Sequence, residues 1–467
     1  MSAEKLFYKP EIGFTADFIP FYDNGKFHLF YLKDFRDPEH YGEGTPWYQI
    51  ATKDFINFED LGEAIPRGTR AEQDLYIFTG SVIKAKGRYH IFYTAHNHHM
   101  TEKNMPIEAI AHAVSDDIVH WTKVPEDMFY VDAQNFEAND FRDPFVFYNE
   151  QIGRYSMLLV SRKKNCGYTA GFTAHYTSED LKNWTYSGEF FAPNMYHTHE
   201  CPDLFKMGDW WYLVFSEYSD RRLTRYVMSK SINGPWLIPS DDVFDSSAYY
   251  AAKTASDGDK RYIFGWASTK QDHADCGGWM WGGNLTVHEI VQREDGTLGC
   301  KLPESLKNIG ELKAEIKEPF SISNISGKAE KLLFTNTADT YRIDAEIKFD
   351  GDVKQFGLAF ASSFVTKHGY KYEFFPKKNK VEFASITAPV TGRNMERHII
   401  LDTNKNVKLT LIVDGSICVL YVNEEIALTS RFYSPAGKDV SLFAVGGSAE
   451  IVHASYLDLG SVILTLS

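Results

Sequence analysis

Residues 50–62 read IATKDFINFEDLG, and the same pattern returns at 112–124 (HAVSDDIVHWTKV) and 175–188 (HYTSEDLKNWTYSG). In each copy a strand-like run ends in Ser or Thr, any residue and Asp, turns, and places an aromatic just beyond the turn. A fourth stretch, VMSKSINGPWLIP (227–239), is a degenerate copy that keeps the serine and the tryptophan. An aspartate or serine at such a place hydrogen-bonds its own turn, and the aromatic covers it. A turn repeated at the end of successive strand groups is the mark of a β-propeller, built from radially arranged four-stranded sheets. A sandwich would also supply many strands, but without the regular turn.

The surrounding sequence fits that expectation. Short alternating or apolar runs such as KFHLFYL (26–32), RYHIFYTA (88–95), YSMLLVS (155–161) and RYIFGWAS (261–268) are rich in Tyr, Phe and Val and bounded by turn residues, the pattern of strands. Residues 1–302 are expected to form the propeller, with Trp121, Trp184 and Trp236 of the repeat in its scaffold. Residues 303–330 lose the aromatics apart from Phe320 and become rich in Lys and Glu, which suggests a linker or short helix. Strand-like runs resume over 331–467, and the Asp-Gly of LIVDGSICVLYVN (411–423) marks a tight hairpin, so a second, β-sandwich domain is expected. The fold class is all-β throughout.

The totals exclude several functions. A net charge of −14, from 49 basic against 63 acidic residues, argues against nucleic acid and anionic membrane as partners. The five cysteines are few and widely spaced, without the pairs of a disulfide framework or a zinc site. The opening MSAEKLFYKPEIGF lacks the apolar core of a signal peptide, so a cytoplasmic location is the simplest reading, with processed secretion as the alternative. No cofactor and no metal are expected. The expected partner is a carbohydrate substrate, and the oligomeric state is left open.

Three acids stand apart from the many solvated ones because apolar, strand-like residues flank them. Asp17 lies in EIGFTADFIPF, Asp143 in FRDPFVFY and Glu200 in HTHECPDLF. Each sits at the mouth of a different expected sheet, and in a propeller those strand ends converge on one central funnel. Glycoside hydrolysis needs such groups: one carboxylate to attack or to activate water, and one acid to protonate the leaving oxygen. The tetrapeptide FRDP occurs twice. At 35–38 it runs into a polar, Gly-rich loop, which suits an ion pair or a rim contact. At 141–144 it enters an apolar strand, which can hold Asp143 rigidly, with Arg142 beside it to favour the charged form.

These segments resemble glycoside hydrolase family 32, the invertases, sucrose-6-phosphate hydrolases, inulinases and levanases. FRDPFVF is similar to that family's Arg-Asp-Pro motif, HECPDLF to its Glu-Cys motif, YIFTGSVI (76–83) to its Phe-Ser-Gly-Ser strand and SAYYAAKTASDGDKRYIFGWAS (247–268) to its Phe-Tyr-Ala…Gly-Trp segment. The resemblance implies a five-bladed propeller followed by a β-sandwich, and a retaining β-fructofuranosidase. It implies Asp17 as nucleophile, Asp143 as transition-state stabiliser and Glu200 as general acid/base. Arg142, Phe78, Thr79, Tyr250, Trp266, His199 and Trp281 would bind substrate. His197 and His199 read as pocket walls and not as metal ligands. The family's opening Trp-Met-Asn-Asp-Pro-Asn-Gly is here GFTADFIPF; its flanking asparagine is Ala16, and its glutamine after the first Phe-Tyr is Leu32. Asp23, in YDNGK, is the competing nucleophile position and is better explained as a hairpin turn. An arabinofuranoside-cleaving relative, a fructosyltransferase and an inactive sugar-binding protein are the alternative readings.

Overall fold

A computed structural model describes residues 4–219, 221–386 and 395–460. Its first part is a ring of five antiparallel sheets. The first blade comprises Phe14–Asp23, Lys26–Asp34, Trp47–Thr52 and Phe58–Ile65. The second comprises Tyr76–Ala85, Arg88–His96, Glu108–Ser115 and Thr122–Lys123. The third runs from Arg142–Asn149 to Thr185–Phe191. The fourth holds His199–Met207, Trp210–Glu217 and Thr224–Ser229, with two isolated bridges, Arg225–Val243 and Met228–Leu237, in place of a full outer strand. The fifth holds Tyr249–Ser256, Arg261–Lys270, Trp279–Gln292 and Leu298–Lys301. Each inner strand packs against the next, and that of the fifth returns to that of the first. Pairing of Thr15 with Gly283 fastens the closure.

Apolar side chains fill the space between neighbouring blades. Ile19, Phe30 and Trp47 of the first meet Ile77, Ile91 and Ala109 of the second. Phe18 and Leu29 meet Phe264 and Leu285 where the ring closes. Strands that pack on both faces read as apolar runs, as these do. The repeated turn has one hydrogen-bond pattern. Ser178 Oγ accepts from the Asp180 and Leu181 N–H groups at 3.2 and 2.9 Å, and Asp180 Oδ1 accepts from Lys182 N and Asn183 N at 2.9 and 2.8 Å. Thr52 with Asp54 and Ser115 with Asp117 repeat these bonds. Trp121, Trp184 and Trp236 pack on the blade cores beside these turns.

One irregularity recurs in all five blades. Opposite the second strand, the inner strand carries one extra residue: between Ala16 and Phe18, between Phe78 and Gly80, between Arg142 and Phe145, between Glu200 and Asp203, and between Tyr250 and Lys253. Such a bulge bends the strand and re-aims its side chains. Left-handed residues sit at four of them: Asp17 (φ 33°), Asp143 (φ 60°), Cys201 (φ 53°) and Ala251 (φ 52°).

The C-terminal part is a sheet folded around a second core that includes Ile343, Leu358, Phe374, Leu411 and Ile451. The long strand Asp439–Asp458 is its spine. The segment 303–330, expected as a linker or short helix, holds a one-turn helix (Glu304–Lys307) and then strands Glu311–Ile316 and Phe320–Phe334, both paired with that spine. Glu311, Lys313 and Glu315 face solvent from the strand Glu311–Ile316; the partner lies over a hundred residues away, so no local signal announces the pairing. The expected hairpin is present, with Asp414 opposite Ile417. Asp414 also accepts N–H bonds from Lys5, Leu6 and Phe7.

The two parts share one core, in which Tyr212, Tyr249 and Ile263 meet Ile412, Val419 and Tyr421. Buried Arg431 crosses the interface and donates to the carbonyls of Ala267 and Ser268 at 3.0 and 2.8 Å and to Asn284 Oδ1 at 2.7 Å.

Candidate active site

The bulges open onto one cavity of about 590 Å³ at the axis of the ring, within the size range of small-ligand sites. Asp17, Asp143 and Glu200 line it, from the first, third and fourth blades. Arg142, Phe78, Tyr250, Trp266 and Trp281 also line it.

Asp17 is held from two directions. Thr79 Oγ1 donates to Oδ2 at 2.6 Å, and Trp266 Nε1 donates to Oδ1 at 3.0 Å. Burial pushes its carboxyl up to about 6, the two donors pull it down in part, and the charge of Glu200 adds to the rise. Asp143 Oδ2 accepts the Cys201 N–H at 2.9 Å, while the Asp143 N–H is taken by Thr94 Oγ1 at 2.7 Å. Burial drives this carboxyl up to about 7 against the pull of Arg142. The neighbouring arginine, expected to keep Asp143 charged, is outweighed.

The guanidinium of Arg142 points instead at other acids. It donates to Glu200 Oε1 at 2.8 Å and to Asp140 Oδ1 at 2.9 Å, with Glu108 Oε1 at 3.5 Å. Burial works against its charge, but Glu108, Glu200, Asp143 and Asp140 together hold it firmly protonated. The second oxygen of Glu200 accepts from the Tyr250 hydroxyl at 2.7 Å. Glu200 is thus fixed on both oxygens by donors from two other blades.

Two expected contact residues lie elsewhere. Thr79 is fully buried and positions Asp17 from behind the cavity wall. His199 is also fully buried, packed among Phe191, Tyr196 and Phe215, with its pKa pushed down to about 3 by burial. It is the strand neighbour of Glu200, so its side chain leaves by the opposite face. His197 stacks on Tyr168 outside the cavity lining. Ala16 and Leu32 are buried between the first two blades. Asp23 closes the first hairpin and bonds Lys84 and Tyr89, away from the cavity. Trp47 is core and donates to the Phe78 carbonyl at 3.2 Å.

The two FRDP copies differ as their surroundings suggest. In the first, Asp37 caps a one-turn helix through His40 N, and Arg36 pairs with Asp34 and reaches the Trp281 carbonyl at the cavity rim. Sequence reasoning missed Glu108 and Asp140. Glu108 is almost fully buried, lines the cavity and accepts the Phe141 N–H at 2.7 Å. Its signal was a lone acid in the apolar run PIEAIAHAV (106–114).

Residues 8–299 match the model of the glycosyl hydrolases family 32 N-terminal domain, and residues 311–458 match that of the glycosyl hydrolases family 32 C terminal. Among known proteins, the chain is 25% identical to a levanbiose-producing levanase of Bacillus subtilis (strain 168), across 95% of this chain and 88% of that enzyme. It is 23% identical to a sucrose-6-phosphate hydrolase of Escherichia coli, across 94% and 90%. Its fold superposes on fructan 1-exohydrolase IIa from Cichorium intybus with a TM-score of 0.77 at 16% identity, covering 98% of this chain and 97% of that one. With both of its parts matched, the chain belongs to glycosyl hydrolase family 32 and is a glycoside hydrolase.

Proposed function

We propose that the protein is a retaining β-fructofuranosidase acting on a fructosyl oligosaccharide, a sucrose-like sugar or a fructan. The observation that carries this reading is the convergence of Asp17, Asp143 and Glu200 in one sugar-sized cavity, each on a rigid inner strand. The names of the matched levanase and sucrose-6-phosphate hydrolase supply the fructosyl class.

In this scheme an Asp17 oxygen attacks the anomeric carbon of the fructosyl unit while Glu200 gives a proton to the departing oxygen. The bond to the leaving group breaks and a fructosyl ester forms on Asp17. Glu200, now a carboxylate, takes a proton from water while the water oxygen bonds to the anomeric carbon. The ester bond breaks, fructose leaves, Asp17 returns as a carboxylate and Glu200 is again the acid. Thr79 and Trp266 hold the attacking group still, so little reorganisation remains at the moment of reaction. Asp143 faces the ring where positive charge develops. Arg142 and Tyr250 aim Glu200, and the phenol stays a neutral donor because burial and the Glu200 charge raise its pKa well above normal.

The test is a screen of sucrose, sucrose 6-phosphate, inulin, levan and an aryl arabinofuranoside, with NMR of the product anomer before mutarotation. Release of β-fructose first supports the retaining scheme. Initial release of the inverted anomer, or turnover of the arabinofuranoside alone, rejects it.

A further inference from the structure

Beside the cavity mouth, but outside its lining, two loops bring together Glu43, His98 and His99. His99 Nε2 lies 3.0 and 3.1 Å from the two Glu43 oxygens, and His98 Nε2 lies 3.3 Å from Oε1. The two imidazole rings are 3.9 Å apart. We propose that these three side chains form a binding site for a divalent first-row transition ion of the zinc type.

The two nitrogen–oxygen separations, 3.0 and 3.3 Å, are those of a coordination shell, and all three ligand atoms lie within 4.8 Å of one another. Zinc bonds of about 2.0–2.1 Å to nitrogen and oxygen, arranged tetrahedrally, separate ligand atoms by about 3.3 Å. A small shift of Glu43 would let all three groups face one ion, with the fourth position open to solvent on the His98 side, where that ring is half exposed. Two histidines and a carboxylate form a donor set that suits zinc and its neighbours better than calcium or magnesium.

The groups are also held in place. Asn97, which is fully buried, accepts the His99 N–H at 2.9 Å and donates to the carbonyls of Arg70 and Glu72. Glu102 Oε1 lies 3.8 Å from His99 Nδ1, on the side away from Glu43, where a carboxylate favours the tautomer that leaves Nε2 free to ligate. The Tyr76 hydroxyl donates to Glu43 Oε1 at 3.3 Å. On the other loop, Gly44 (φ 99°) is pressed against Leu75, whose carbonyl oxygen would lie 2.1 Å from an added Cβ. Arg67 donates to the carbonyls of Tyr41, Gly42 and Gly44. An ion here would rivet the loop after the first FRDP to the His98–Lys103 turn. Tyr76, which contacts the cluster and lines the cavity, would be braced at the mouth. Histidines adjacent in sequence carry no familiar ligand spacing, and the glutamate comes from 55 residues upstream of His98.

The proposal is independent of the catalytic assignment and is tested without an activity assay. Zinc chloride is titrated calorimetrically into the full chain and into the E43Q, H99A and E43Q/H98A/H99A variants. Circular dichroism checks that each variant is folded. One zinc per wild-type chain is expected, with affinity falling roughly tenfold or more in each single variant and the site lost in the triple variant. The cobalt(II) form should show d–d bands without a thiolate charge-transfer band, which separates this site from the exposed Cys166 and Cys276. Equal zinc affinity in the wild type and the triple variant would overturn the proposal. So would a cobalt spectrum carrying a thiolate band, or unchanged zinc binding in the variants together with weaker calorimetric binding of a fructan oligosaccharide, which would make the cluster a sugar contact.

Discussion

Arg142 Nη2 lies 2.8 Å from Glu200 Oε1, so the arginine of the second FRDP motif reaches across to the next blade and grips its glutamate. The same guanidinium bridges Asp140, which in turn bonds Arg162 at 3.1 Å. Arg142→Lys keeps the charge but not the fork that serves two carboxylates at once. With Glu200 less well aimed, kcat/KM is expected to fall by about 10²–10³-fold, with a modest change in stability. Arg142→Met leaves buried acids without their cation and should cost about 3–5 kcal/mol of stability. Steady-state kinetics and urea titration of both variants check this.

In the proposed scheme Glu200→Gln removes the proton donor and later the base. Turnover of a natural fructoside is expected to drop by about 10²–10⁴-fold. A fructosyl donor whose leaving group needs no protonation should still load the enzyme. A covalent fructosyl adduct on the peptide containing Asp17 is then expected by mass spectrometry. An adduct that persists in Asp17→Asn would place the nucleophile elsewhere.

The acid limb of kcat/KM should fall as pH drops through about 7 to about 6, because the proposed scheme needs Asp143 and Asp17 both ionised and burial raises both pKa values. An acid limb centred near 4 in the wild type would contradict the roles given to these two groups.

The same shift has a consequence for stability. Asp17 titrates at about 6 in the folded chain against 3.8 ordinarily, so the folded state binds its proton more tightly. Its contribution is stabilising below the unfolded value and is lost as pH rises through about 6. Asp17→Asn, whose amide oxygen can accept from Trp266 while its NH2 donates to Thr79 Oγ1, is expected to melt above the wild type at pH 8. The difference should shrink towards pH 4.5. Thermal melts across that range decide it.

Arg431→Ala strips the cation from the interface and removes one donor from each of the carbonyls of Ala267 and Ser268. A loss of about 3–5 kcal/mol is expected, together with early unfolding of the ring, whose fifth blade supplies both carbonyls. Denaturant titration followed by tryptophan fluorescence measures it.

Much of this architecture was legible in the residues. The Ser/Thr-x-Asp turn is a local hydrogen-bond pattern, and its repetition at 52–54, 115–117 and 178–180 encoded the blades. The acids at 17, 143 and 200 were visible because polar groups at apolar strand ends are rare. What stayed hidden depended on distant partners. The strands within 303–330 pair with a segment near the chain's end, and His199 was misplaced because alternation about Glu200 was not carried through. Glu108 and Asp140 gain their meaning only from Arg142, which no linear spacing reveals.

The five bulges bear on how such a funnel can be altered. Each lets one blade present its own side chains at the axis, such as Asp17, Phe78, Asp143, Glu200 or Tyr250, without shifting the ladder that holds the neighbouring blade. The ring therefore works as a turret of five separate tool holders: one fitting can be exchanged while the other four keep their aim.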